Sequence, residues 1–194
     1  RNPLVAKEIT RRGHDIVGRG YRWEEHSEWD KEKERKDMRK AIKSTEETSG
    51  QKPLGWYVRY GPSVHTRELI SEEGLLYDSN CLNDDIPYYV DIKGKKLLIL
   101  PYTMEINDVR YWIRTTGTAQ AFYECMKDAF DLLYAEGAKT PKMMSVGLHA
   151  RSIGRPSRVW ALDKFLKYAN EFPNVWFARR SDIAKWWLAK YPPN

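Results

Sequence analysis

The chain has 194 residues, enough for one domain with a sizeable core and too few to suggest several, so a single domain over residues 1–194 is expected. Its 41% hydrophobic and 31% charged content, with eight tryptophans, exclude a disordered chain. The net charge of +6 does not point to nucleic acid, because 33 basic and 27 acidic residues are interleaved along the chain.

PLVAKEITRR reads as a helix closed by Gly13, and HDIVG after it as a short strand. A second helix is predicted from about Asp30 to Thr48, stopping at Gly50. Its WDKEKERKDMRKAIK run alternates in sign, as the wet face of a helix does. GWYVR, residues 55–59, is a strand by its aromatic and β-branched content. HTRELISEEG is a short helix ending at Gly74, LLYDS a strand, and KKLLILPY a continuous apolar run that suits a strand of a parallel sheet. From Thr118 to Glu136, Phe122, Met126, Ala129, Phe130 and Leu133 recur at helical spacing, with Gly137 as the cap. MMSVGLH and NVWFARR are further strands, RPSRVWALDKFLKYANEF a helix, and Ser181 the cap of a last helix, DIAKWWLAKY.

Six strands alternating with six helices give an α/β fold with parallel strands. The chain opens on a helix with no strand before it, so the pattern is that of a (β/α) barrel lacking its N-terminal strand or strands. No run reaches the roughly 18 apolar residues of a membrane span. RNPLVAKEITRRG lacks the apolar centre of a signal peptide. Cys81 and Cys125 form neither a disulfide framework nor a metal-ligand spacing. A reducing, cytoplasmic setting is expected, with no membrane and no nucleic acid as partner.

In parallel α/β folds the ligand lies at the carboxyl ends of the strands. That rule selects GRGYRWEEH, RYGPSVHTR, DSNCLNDD, PYTMEINDVRYW, LHARSIGRP and ARRSD. His149 closes an apolar strand beside Arg151; it suits a general acid, or else is a histidine satisfied by backbone. Asp84 and Asp85 would point to opposite sides of an extended segment, one toward a substrate and the other capping a turn. Asn107 and Asp108, flanked by Tyr102, Tyr111 and Trp112, fit an aromatic-walled pocket for a small polar ligand, or a stabilised loop. Arg19, between Gly18 and Gly20, is placed to hold an anion. No phosphate-binding glycine loop or nucleophile elbow is present, and Cys125 lies on a helix face suited to packing.

GHDIVGRGYRW, KPLGWYVRYGPSVHTRELISEEG, LYDSNCLNDDIPYY, LILPYTMEINDVRYW, FYECMKDAFDLLYAEG, PKMMSVGLHARSIGRP and VWFARRSDIA together resemble the polysaccharide deacetylase superfamily. Within it they resemble the allantoinase-like branch of metal-independent cyclic amide hydrolases. The resemblance implies an incomplete (β/α) barrel that hydrolyses a C–N bond of a small cyclic ureide of the allantoin type, without metal or other cofactor, as a homo-oligomer. Metal-dependent members bind their ion through an Asp and two His spaced H-x-x-x-H. Here Arg19 and Trp23 stand at the two histidine positions, and tryptophan at the second marks the allantoinase-like branch. The acidic motif of the superfamily's first strand has no counterpart in the chain.

The resemblance makes His149 the expected catalytic acid. Arg19, Trp23, Arg59, Asp84, Asp85, Asn107, Asp108, Arg151 and Arg155 are the expected substrate-binding set, with no metal ligand. Two alternatives follow from the same residues: a metal-dependent deacetylase of an N-acetyl glycan such as chitin or peptidoglycan, and an inactive binding descendant in which Arg19 has replaced the histidine.

Overall fold

The computed structural model describes residues 2–114 and 117–193. Its elements are α1 (Pro3–Arg11), α2 (Lys31–Ser49), β1 (Gly55–Trp56), α3 (Thr66–Glu72), β2 (Tyr77–Asp78), β3 (Tyr88–Ile92), β4 (Lys95–Ile99), α4 (Asp108–Arg114), α5 (Ala119–Gly137), α6 (Ala150–Ile153), α7 (Pro156–Ala169) and α8 (Arg180–Lys190). They form two compact units. One holds Arg1–Cys81, Pro87–Pro101 and Ala178–Asn194; the other holds Leu82–Ile86 and Tyr102–Phe177.

The first unit contains the sheet, in order β1-β2-β4-β3. β1, β2 and β4 are parallel, as expected. β3 instead pairs antiparallel with β4, from Tyr88 opposite Ile99 to Ile92 opposite Lys95. The two-residue connection, Lys93 and Gly94, has φ of 53° and 81°. Two successive positive φ values form the hairpin turn whose twist matches that of the strands, and Asp91 accepts the Gly94 N–H across it. Met38, Ile42, Trp56, Val58, Leu69, Ile70, Leu75 and Leu97 make this unit's core between α2, α3 and the sheet.

α2 starts and stops as its sequence dictates. The Asp30 side chain accepts the Lys33 N–H at 2.9 Å, and Gly50 closes the helix in the left-handed conformation. α8 differs from expectation: Ser181 lies inside its first turn, and the Asp15 carboxylate accepts the Ser181 N–H at 3.0 Å. A carboxylate from a distant segment therefore replaces the local hydroxyl cap.

The second unit is helical. Phe122, Met126 and Phe130 of α5 meet Ala161, Phe165 and Ala169 of α7, with Ile106 and Ile153, in a separate core. Thr118 accepts the Ala121 N–H and starts α5, but Gly137 is the last helical residue and Ala138 the cap. α4 and α6, both short, were not expected from periodicity.

Three expected strands do not form ladders. HDIVG makes one parallel bridge, Gly18 to Trp56, and MMSVGLH one, Asn107 to Gly147. NVWFARR makes no bridge among the described residues. An apolar run records a tendency to burial, whereas a strand also needs a neighbour to take its backbone groups. Trp176 and Phe177 remain 58% and 52% exposed. Among the described residues no helix is long and apolar enough to cross a membrane.

Candidate functional site

The second unit places a histidine on a buried carboxylate. Asp108 opens α4 and is fully buried. Its Oδ2 accepts the backbone N–H groups of His149 at 3.0 Å and Ile153 at 3.1 Å, closing the first turn of α6. Its Oδ1 lies 2.7 Å from His149 Nδ1. Because an ionised carboxylate only accepts, this contact puts the Nδ1 proton against Asp108 and turns Nε2 away from it. The His149 side chain keeps 28% of its surface exposed. A ring held this way can take or deliver a proton at Nε2.

The chain brings the two residues together by one parallel bridge. The Gly147 N–H donates to Ile106 O at 2.8 Å, and the Asp108 N–H donates to Gly147 O at 2.9 Å. Gly147 is required by close approach: a Cβ there would run into the Tyr102 hydroxyl and lie 2.7 Å from Asn107 Nδ2. Asn107 Nδ2 donates to the Tyr102 hydroxyl at 2.8 Å, and its Oδ1 accepts the Arg110 N–H at 3.2 Å. Asn107 thus fixes the loop beneath the dyad.

Of the expected aromatic wall, Tyr111 and Trp112 pack on Phe122 at 5.1 and 5.5 Å and belong to the core side. Asp84 caps its own turn, accepting the N–H groups of Asp85 and Ile86. Asp85 lies 3.6 Å from Lys142 Nζ, and its carbonyl accepts the Met143 N–H at 2.7 Å. Arg151, within α6, and Arg155, before α7, are exposed beside the segment that carries His149.

The remaining expected residues lie in the first unit. Arg59 is held between two rings, 4.1 Å over Trp23 and 4.2 Å over Tyr60. It donates to the Trp23 carbonyl at 2.9 Å and to the Tyr60 hydroxyl at 2.5 Å. Arg19 lies over the Tyr57 ring at 4.7 Å. Positions 19 and 23 thus carry a guanidinium and an indole, neither of which ligates a metal, and a deacetylase-type ion does not fit this donor set. Among the described residues no three His, Cys, Asp or Glu side chains converge to hold one.

Three polar features have partners that only the fold supplies. His26 is fully buried, stacked on Trp29 at 4.2 Å and 3.7 Å from the buried Glu34 carboxylate. Burial pushes the Glu34 carboxyl up, but contacts from His26, Ser63 and Thr66 outweigh it and hold the group below its ordinary value. Arg180 gathers the sheet's end, donating to the Ser79 hydroxyl, Leu100 O and Pro101 O. Arg158 donates to the buried Ser152 hydroxyl at 3.3 Å and covers Trp112 at 4.6 Å. Glu34 and Arg158 sit among other charged residues on helices, where helical spacing alone does not mark them.

No family model matches the chain. It is 35% identical over 213 residues to a protein of Schizosaccharomyces pombe named "Putative polysaccharide deacetylase", covering 99% of this chain and 66% of that one. It is also similar to the crystal structure of a "probable Polysaccharide deacetylase" from Pseudomonas aeruginosa PAO1, with 44% identity, a TM-score of 0.93, and coverage of 100% of this chain and 66% of the other. The crystal structure of Puue allantoinase has the same 44% identity and TM-score of 0.93, with 100% and 65% covered. The chain therefore spans slightly less than two thirds of the length of these relatives, and its fold is that of the corresponding part of their α/β barrel.

Proposed function

This chain belongs to the polysaccharide deacetylase superfamily, and from that premise we propose that it is part of a hydrolase that opens a small cyclic amide of the allantoin type by general acid–base chemistry. The observation that carries this reading is the Asp108–His149 pair, with Nδ1 fixed at 2.7 Å and Nε2 turned away from the carboxylate. The likeness to the Puue allantoinase supports the choice of substrate class.

In this mechanism the oxygen of water adds to a ring carbonyl carbon as its protons pass to solvent, and the C–N bond breaks as the ring nitrogen takes a proton from His149 Nε2, which solvent then replaces. The products are a carboxylate and a neutral urea or amine nitrogen. Asp108 sets the tautomer and steadies the charge on the ring as the proton moves. Arg151 and Arg155, on the segment after His149, are the groups proposed to meet the ureide carbonyls.

The names of the S. pombe and P. aeruginosa relatives favour a second reading, deacetylation of an N-acetyl glycan. One assay separates the two. Protein treated with a chelator and desalted is expected to convert allantoin to allantoate and to leave N-acetyl-glucosamine oligomers untouched. Release of acetate that requires added zinc or cobalt, without ring opening of any cyclic amide, would overturn the first reading.

A further inference from the structure

We propose that Arg19 anchors a binding site for a small carboxylate on the loop that follows Val17 in the first unit. This goes beyond the hydrolytic reading, since binding there requires no turnover.

Arg19 differs from most arginines of its unit in having no carboxylate or hydrogen-bond partner among the described residues. Arg11, Arg12, Arg35, Arg39, Arg67 and Arg179 each pair with a carboxylate. Arg59 spends its terminal nitrogens on the Trp23 carbonyl and the Tyr60 hydroxyl. Among the described residues Arg19 meets only the Tyr57 ring, with its guanidinium carbon 4.7 Å from the centroid, and it is exposed. A guanidinium resting on an aromatic face keeps its N–H groups around the rim, where they remain available to an acceptor.

The loop around it is fixed, so the side chain is presented from a defined point. The Gly18 N–H donates to Gly55 O, and Gly18 O accepts from the Tyr57 N–H, both at 2.9 Å. The Trp56 ring fills the space where a Cβ at position 18 would lie. Gly20 has φ +92°, and a Cβ there would sit 2.9 Å from the Nε2 of the buried His26. Next, the Tyr21 N–H donates to the Asp37 carboxylate of α2 at 2.9 Å.

The chemistry selects a carboxylate. A single free guanidinium offers one planar fork, which matches the two oxygens of one carboxylate. A phosphate dianion calls for a second cation, and Arg59 of the same unit is committed to Trp23 and Tyr60.

The test is an amide-resolved NMR titration of the whole chain with sodium acetate, referenced to sodium chloride at equal ionic strength. Saturable shifts at Gly18, Gly20 and Tyr21 are expected with acetate and not with chloride. Arg19→Gln should weaken the apparent affinity at least about tenfold, and Arg19→Lys, which keeps the charge but not the fork, several-fold. If Arg19→Gln loses the dispersion of the folded spectrum, Arg19→Lys decides alone. Equal shifts in the wild type and in the folded variants, or identical responses to acetate and chloride, would overturn the proposal. Hydantoin-5-acetate binding more tightly than acetate would mark the anion as part of a cyclic amide ligand, and equal binding as a carboxylate held by itself; either result upholds the site. Failure of the hydrolase assay would leave this titration unaffected.

Discussion

Asp108 serves His149 with both oxygens at once: Oδ1 holds the ring Nδ1 at 2.7 Å while Oδ2 holds the backbone N–H of the same residue at 3.0 Å. Ring and main chain are thus oriented by one buried carboxylate. Asp108→Asn keeps the shape but presents an amide that no longer fixes the Nδ1 proton. It is expected to lower kcat by about 10²–10⁴-fold with a much smaller change in KM. Steady-state kinetics with a circular-dichroism melt checks this, and a KM effect larger than the kcat effect would assign Asp108 to substrate binding instead.

Gly147→Ala tests the local packing beneath the dyad. The added methyl would collide with the Tyr102 hydroxyl that Asn107 holds, so one of the two must leave its place. A loss of about 1–3 kcal/mol in urea unfolding is expected. Gly13→Ala is a useful contrast, because nothing lies within 4 Å of its Cβ and only the φ of +82° resists the change. A cost at Gly147 no larger than that at Gly13 would show that the Tyr102 hydroxyl yields to the methyl without loss.

The Glu34 network should make the first unit sensitive to acid. A carboxyl whose folded value lies below its unfolded one contributes stability above the unfolded value, and that contribution is lost as pH falls through the folded value. Glu34→Gln is therefore expected to cost about 1–3 kcal/mol near neutral pH, with a penalty that shrinks as the solution is acidified below the ordinary carboxylate range. Urea midpoints at a series of pH values give the comparison. A penalty that stays constant down to the acid limit would mean that the lost shape, not the charge, matters.

The parts of the molecule written in local signals were legible in advance. Asp30 and Gly50 bound α2, and the Phe122–Met126–Phe130 spacing marks the buried face of α5. The polar strand-end segments directed attention to both Asp108 and His149, although separately. Their pairing was not legible, because it depends on the bridge between Asn107 and Gly147, 40 residues apart in number and joined only by the fold. Capping of α8 by Asp15 is non-local in the same way, with donor and acceptor 166 positions apart. The β3–β4 hairpin was missed for another reason: its Lys93–Gly94 turn lacks the asparagine or aspartate that usually announces two positive φ values. Apolar runs at 143–149 and 174–180 read as strands because the pattern reports burial without reporting a partner.

The most direct measurement is the turnover number for allantoin ring opening by the wild-type protein and by His149→Gln under identical, chelator-treated conditions. The account predicts measurable allantoate from the wild type and a kcat lower by about 10²–10⁴-fold in the variant, with KM little changed. Equal turnover by the two proteins, or no ring opening by the wild type, would contradict it.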